Sequence, residues 1–464
     1  MIHTYSMNGF HIVLDTNSGA VHLVDRLAIR LLDLLQPPLD AKCPADICKT
    51  LCAEGFTPAE VEETYDELYT LYESGTLYSE DTYEPFAKKL GPSPIKSMCL
   101  HIAHDCNLRC TYCFAATGDF GGGRKLMSLE TGKKAIDFLI EHSPGRHNLE
   151  LDFFGGEPMM NFDVVKQIVE YARGKEKEYH KNFRFTITTN GLLLDDDSID
   201  FINREMSNVV LSIDGRKEVN DHFRKRVDGT GSYDTIVPKY QRLVERRDGK
   251  DYYVRGTFSR YNMDFTEDIL HLNRLGFDQI SVEPVVGDEN TDYALREQDL
   301  PVIDQEYEKL AKEMIRLKKA GKGFNFFHFM IDLDQGPCAI KRLRGCSCGN
   351  EYVAITPDGD IYPCHQFVGM EDYKMGSVLD GSYDTKMQES FSHTTVYDKE
   401  DCRDCWAKFY CSGGCNANNL QYGGGILSPH KVSCALEKKR IECAIMIKAA
   451  LATDVEEIES EEIA

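Results

Sequence analysis

The chain has 464 residues, 42% hydrophobic and 28% charged, with a formal net charge of −23. That length calls for two or three domains, and the acid excess argues against sequence-independent nucleic-acid binding, which needs basic surface. No run of 18 apolar residues occurs, so no membrane-spanning helix is expected; the N-terminal MIHTYSMNGFHIV lacks a basic region followed by an apolar one, so a cytoplasmic chain is expected. Against that background stand 17 cysteines, which in a reducing compartment point to metal or redox chemistry rather than disulfides.

Residues 1–90 read as a small α+β module. Strands are expected at 7–10 and 11–14, with turn chemistry in Asp15-Thr-Asn-Ser-Gly19. A helix over 24–35 stops at Pro37-Pro38, and Thr57-Pro58 opens another that carries Val61, Tyr65, Leu68, Leu71 and Tyr72. Strands followed by three short helices make a winged-helix-like unit. From 91 to 322 the pattern alternates. Strand-like runs at 97–103, 149–154, 183–188, 209–213, 253–258 and 279–282 are separated by helical runs at 128–141, 162–179, 197–205, 233–246 and 265–275, with a last helix at 305–319. Six such pairs imply a parallel sheet with right-handed crossovers, an α/β fold of the partial (β/α)6 TIM-barrel kind, with its site at the C-terminal strand ends. Residues 323–450 are turn-rich, with too little continuous apolar pattern to hold themselves together, so metal sites are expected to supply the constraint. Residues 451–464, with Asp454, Glu456, Glu457, Glu459, Glu461 and Glu462, read as a solvated acidic tail.

The cysteines are grouped. After the first barrel strand comes Cys106-x3-Cys110-x2-Cys113. Three thiolates can hold three irons of a 4Fe–4S cluster and leave the fourth for a small-molecule chelator. With aromatic Tyr112 before the third cysteine, the segment resembles the radical S-adenosylmethionine superfamily. The resemblance implies a cofactor site built from Tyr112, from Gly155-Gly156-Glu157-Pro158 after the second strand, and from Asn190 after the third. Glycines there would let the backbone approach the ligand, and Glu157 would accept from the methionyl amino group. Ser212 and Asp214 after the fourth strand would face ribose or carboxylate, and Arg224 the carboxylate. Glu283 after the sixth strand lies near the expected adenine, or serves substrate or structure. The implied chemistry is one-electron cleavage of S-adenosylmethionine to a 5′-deoxyadenosyl radical, which takes a hydrogen atom from a C–H bond.

A second group fills the last third: Cys348, Cys364, then Cys402-x2-Cys405-x5-Cys411-x3-Cys415, then Cys434. This resembles the SPASM auxiliary-cluster domain. The resemblance assigns Cys402, Cys405, Cys411 and Cys434 to one 4Fe–4S cluster, and Cys348, Cys364 and Cys415 to another, for three clusters in all. Either Cys346, with Cys338 as the other upstream candidate, completes the latter, or one iron stays open to a substrate thiolate. Cys43, Cys48, Cys52, Cys99 and Cys443 read as plain buried residues.

Residues 1–85 resemble the PqqD-like peptide-recognition element fused to maturases of ribosomally made peptides, which captures a leader by strand addition. With it in front, the chain is similar to the six-cysteine (SCIFF) peptide maturases. That implies an oxidoreductase forming a thioether between a Cys sulfur and an α-carbon in a short Cys-rich precursor. A flavodoxin or ferredoxin would donate electrons. The competing readings are an anaerobic sulfatase maturase, producing formylglycine, and a non-catalytic iron–sulfur protein.

Overall fold

The computed structural model describes residues 1–333 and 339–453; Cys338 and the acidic run of 454–464 lie outside the described residues. The N-terminal module opens on a hairpin of β1 (Ile2–Met7) and β2 (Phe10–Asp15), with Met7 opposite Phe10. Asn8 and Gly9, at φ 51° and 81°, form its two-residue turn, the Asn-Gly pair that a tight hairpin favours. The expected strands at 7–10 and 11–14 overlooked that turn and straddle it. A third strand, β3 (Val21–Val24), pairs antiparallel with β2 and leaves the sheet order β1-β2-β3. It falls partly where a helix from residue 24 was expected. That helix, α1 (Arg26–Leu34), starts where the Asp25 side chain accepts from the Ala28 amide. Helices α2 (Ala45–Ala53) and α3 (Pro58–Glu73) follow, α3 held by a Thr57–Glu60 capping box. Leu27, Leu31, Leu51, Val61, Tyr65 and Leu68 close this small core.

The barrel strands match the alternation read from the sequence: β4 (Ser97–His104), β6 (Asn148–Gly155), β7 (Asn182–Thr189), β8 (Met206–Ser212), β9 (Asp251–Phe258) and β10 (Gln279–Pro284). They run parallel in the order β10-β9-β8-β7-β6-β4, with helices between them. Short β5 (Lys125–Leu126) pairs antiparallel with the end of β4, and β11 (Asn325–Phe326) extends the β10 edge. Alternate residues explain the layering: on β6, Leu149, Leu151 and Phe153 are fully buried toward the helices, while Glu150, Asp152 and Phe154 face the barrel interior and are only partly covered.

The cysteine-rich segment is not held by metal sites alone. Strand β12 (Tyr352–Ile355) pairs parallel with β4, Tyr352 opposite Ser97, and β13 (Asp360–Tyr362), β14 (Gly376–Ser377) and β15 (Ser382–Tyr383) continue the same sheet. Val353, Ile355 and Ile361 join the main core. A long helix, Lys431–Ala452, then packs on the helix Leu300–Lys319. It also receives the N-terminal module: Tyr5 donates to the Glu442 carbonyl at 2.9 Å and His3 pairs with Glu442 at 2.9 Å. The His3 ring stacks on Trp406 at 3.8 Å and 3°. Among the described residues no helix is long and apolar enough to cross a membrane.

Candidate active site

At the C-terminal ends of the barrel strands three loops converge. The first follows β4 and carries Cys106, Cys110 and Cys113, all partly exposed. Cys106 and Cys110 lie within electrostatic reach of each other and of Cys113, and burial pushes both thiols up to about 12. Loading such a site with metal must strip those protons, so binding couples to pH. Gly118 in the following turn sits so close that a Cβ there would meet the Cys106 Cβ at 2.6 Å.

The second loop, Gly155-Gly156-Glu157, ends β6. A Cβ on Gly155, at φ 126°, would overlap the Ala103 carbonyl oxygen, and one on Gly156 the Asp105 carbonyl oxygen. The close approach that demands glycine is to the chain's own backbone, where β4 and its cysteine loop pass; the sequence had suggested a ligand. Glu157 is 1% exposed. One carboxylate oxygen accepts from the Met159 amide at 3.0 Å and Thr189 Oγ1 at 2.8 Å, the other from the Asn190 amide at 2.8 Å. Burial pushes the carboxyl up to about 7. It ties the β6 and β7 loops together and keeps one acceptor position on Oε2. Asn190 donates to Asn107 at 2.7 Å and its amide lies 3.6 Å from the Cys106 sulfur.

The third loop ends β8. Asp214 is fully buried, and its carboxylate is used within the chain: by the Tyr112 hydroxyl at 2.6 Å, the Arg224 guanidinium at 2.9 Å and the Thr257 amide at 2.9 Å. The sequence assigned Asp214 to cofactor; its contacts make it the anchor of Tyr112 and Arg224. Arg224 lies 5.7 Å over the Tyr112 ring and keeps a buried Nε with no partner. Ser212 lies beside them, half-buried, at the end of β8.

Within the barrel mouth the structure adds residues that spacing did not reveal. Arg255 on β9 pairs with Glu283 on β10 at 2.6 Å, and the pair holds the Glu283 carboxyl near 2, against the opposing effect of burial. His328 sits 4.0 Å from Glu283 and accepts from Arg440 of the C-terminal helix at 2.8 Å. Glu283 was visible in the sequence as a residue of the sixth strand's end; for its partner the only signal was a charged residue, Arg255, interrupting an apolar strand. Phe114, directly after Cys113 and 56% exposed, lies 5.6 Å from the His365 ring, and Phe154, directly before Gly155, lies 5.2 Å from it. His365 follows Cys364, so aromatic rings link the first cysteine loop to the second cysteine region. Burial drives His365 down to about 4, which leaves it neutral.

That second region forms two quartets. The Cys346 thiol pairs with Cys348, Cys348 neighbours Cys364 and Cys415, and Cys415 feels Cys346. Separately, Cys402 neighbours Cys405 and Cys434, and Cys411 neighbours Cys402 and Cys434. These are the groups that the resemblance assigns to separate clusters, and Cys346, exposed beside Cys348, lies next to the first of them. Cys99 and Cys443 are buried core residues, while Cys43, Cys48 and Cys52 are half-buried in the N-terminal module.

The donor sets fit iron–sulfur clusters, which take one thiolate per iron. A three-thiol loop beside the buried Arg224 guanidinium, which pairs with Asp214 but keeps an unpartnered Nε, also suits an S-adenosylmethionine whose carboxylate needs a cation.

Comparison with known proteins agrees. Residues 100–256 match the radical SAM superfamily, and residues 346–406 match the SPASM iron–sulfur cluster-binding domain. A cysteine-type anaerobic sulfatase-maturating enzyme from Clostridium novyi (strain NT) is 23% identical over 329 residues, covering 68% of this chain and 86% of that protein. The structure of native anSMEcpe with bound AdoMet and Kp18Cys peptide superposes with a TM-score of 0.64 at 18% identity, over 78% of this chain and all of that one. Streptococcus suis SuiB bound to its precursor peptide SuiA superposes at 0.53 and 16% identity, over 93% of this chain and 98% of that one. The chain therefore carries a radical S-adenosylmethionine partial-barrel core followed by a SPASM domain.

Proposed function

We propose that this chain is a radical S-adenosylmethionine maturase that joins a cysteine sulfur to an α-carbon within a short cysteine-rich precursor peptide. Residues 1–90 capture the peptide's leader, 91–322 hold the cofactor, and 323–450 hold two auxiliary clusters. The observation that carries this reading is the relation between Phe114, Phe154 and His365. Their rings connect the Cys106–Cys110–Cys113 loop to Cys364 of the first quartet, so a peptide residue held against them would lie between the two. The N-terminal sheet adds to it. Strand β1 faces the C-terminal helix, whereas β3 pairs only with β2 and leaves its outer edge open, with Leu23 41% exposed. An edge of that kind accepts an added strand.

In this reading Cys106, Cys110 and Cys113 hold one 4Fe–4S cluster and the two quartets hold one each, Cys346 completing the first. S-adenosylmethionine, held beside that three-thiolate site, would supply the chemistry of hydrogen-atom abstraction. The chain's residues orient it. Arg224 meets the carboxylate, Glu157 Oε2 accepts from the amino group, and Ser212 faces the ribose. Asp214 fixes Tyr112 and Arg224 so that none of these groups must reorganise on binding. The peptide loses one hydrogen from the α-carbon and one from the thiol for each crosslink.

Formylglycine formation is the second reading, favoured by likeness to a sulfatase-maturating enzyme. One experiment separates them. Anaerobically reconstituted protein is incubated with dithionite, S-adenosylmethionine and a synthetic cysteine-rich peptide with its leader, taken from a neighbouring reading frame. Thioether formation appears as loss of two hydrogens per crosslink and cysteines that resist alkylation. A hydrazine-reactive aldehyde overturns it in favour of formylglycine. Absence of 5′-deoxyadenosine overturns both.

A further inference from the structure

Lysine is among the residues least often buried, and a buried ammonium needs a negative partner. Lys399 is 1% exposed. Its Nζ donates to the Gly413 carbonyl at 2.7 Å and to Asn416 Oδ1 at 2.8 Å, and no carboxylate is among the groups that act most on it. Both acceptors are neutral. Burial works against the ammonium's charge, and the groups that most favour it are thiols, Cys402 and Cys411 of one quartet and Cys348 and Cys346 of the other. The loop is shaped to it: Gly413, at φ 83°, could carry a Cβ only 3.0 Å from Nζ. Asn416 extends the contact, since its Nδ2 lies 3.5 Å from the Cys348 sulfur and 3.1 Å from Thr394 Oγ1. On the other side Lys399 leads into the turn of the second quartet, its carbonyl accepting from the Cys402 amide at 3.0 Å.

The geometry points to Lys399 as the shared counter-charge of the two auxiliary clusters, a positioning residue that sets the reduction potentials of both. The inference rests on the reading that each quartet holds a cluster. A cluster bound by four thiolates is net negative, and taking up one electron adds a further negative charge. Net charge and hydrogen bonds to the sulfurs are what tune such potentials. A cation fixed between the two favours the reduced form of each.

The test is an anaerobic redox titration followed by electron paramagnetic resonance, on full-length holoprotein carrying Lys399→Met, Lys399→Gln or Lys399→Arg. With Met or Gln, both auxiliary signals move to more negative potential. At a fixed potential the ratio of reduced to oxidised auxiliary cluster falls at least tenfold, equivalent to about 59 mV for a one-electron couple. The Arg variant stays near the wild type, and the signal of the Cys106–Cys110–Cys113 cluster does not move in any of the three. Auxiliary potentials unchanged in clusters loaded with Met or Gln overturn the inference. If Met and Gln lose iron from the quartets while Arg loads fully, the charge itself is required and the inference stands. If Arg also fails to load, shape rather than charge is what the site needs, and the inference falls. Iron content of the wild type keeps the two claims apart: about twelve irons per chain fit three clusters, whereas about four remove the auxiliary clusters before Lys399 is at issue.

Discussion

Asp214 offers the sharpest test of how the cofactor site is held. Its carboxylate, 0% exposed, takes hydrogen bonds from Tyr112, Arg224 and the Thr257 amide. At 2.9 Å from Arg224, an effective dielectric of about 20 gives roughly 6 kcal/mol of attraction before desolvation is charged against it. Removing one partner of a buried pair costs about 3–5 kcal/mol, because the other charge stays buried and unpaired. Asp214→Ala should therefore destabilise this corner of the barrel by about that amount. Asp214→Asn keeps the shape and can still bond all three neighbours, so it loses only the charge, about 1.5–3 kcal/mol. Global unfolding is a poor reporter in a multidomain protein with clusters, but the Thr257 amide reads the site directly. Its hydrogen exchange should quicken by about 10² to 4 × 10³-fold in Asp214→Ala and by less in Asp214→Asn, at about 1.4 kcal/mol per tenfold. S-adenosylmethionine affinity, measured by equilibrium dialysis, should drop in step, because Arg224 and Tyr112 lose their anchor. Thr257 protection and cofactor affinity both at the wild-type level would refute the reasoning.

Three further outcomes are expected. Replacing Cys106, Cys110 and Cys113 together with Ala abolishes 5′-deoxyadenosine release; continued release in a chromatographic assay sinks the cluster assignment. Burial, aided by Arg440, drives His328 down to about 3 from its ordinary 6.5. The unfolded chain therefore takes up that proton first, and stability present at neutral pH is lost as pH falls from about 6.5 toward 3. Between pH 7.5 and 5.5 the loss is about 1.4 kcal/mol, so the hydrogen-exchange protection of the neighbouring Met330 amide, which donates to the Phe327 carbonyl, should fall less over that interval in His328→Gln than in the wild type; parallel curves contradict the shift. Lysines at Val21 and Leu23 on the open β3 edge should block strand addition. Peptide processing then falls while substrate-free cofactor cleavage persists, and unimpaired processing removes leader capture from that edge.

The barrel was legible because each strand and helix carried its own period and each motif sat where a strand ended. Phe183, Phe185 and Ile187 on β7, for example, alternate with the polar Arg184, Thr186 and Thr188 and are buried on one side. Elements that depend on a neighbour were harder to see. Val21–Val24 merged with the apolar pattern of α1 and became a strand only because β2 offers it a partner. Strand β12 has four residues, and β4 of the barrel completes it. The helix Lys431–Ala452 shows no single apolar stripe, since it is covered on one side by Leu300–Lys319 and on another by the N-terminal sheet. The site divides the same way. Cysteine spacing announced the thiol groups, but Asp214 as an anchor, Arg440 reaching His328, and Lys399 between the quartets are relations between distant segments with no local signature.

What fixes the distance between the two cysteine regions follows from that sheet. β4 ends two residues before Cys106, and its N-terminal half pairs with β12, which begins four residues after Cys348. Cys364 comes two residues after β13, the partner of β12. The cofactor loop and the first quartet are thus attached to neighbouring strands of one hydrogen-bonded sheet rather than to domains joined by a linker. A strand advances about 3.3 Å per residue and a paired sheet resists sliding, so the separation of the two regions is set by backbone register. Adjustment to different peptide residues must then come from the peptide itself or from side chains in the gap, such as the exposed Phe114. Under the proposed function, a cluster in the first quartet would therefore stand at a fixed distance from the Cys106–Cys110–Cys113 loop, whichever peptide residue is presented.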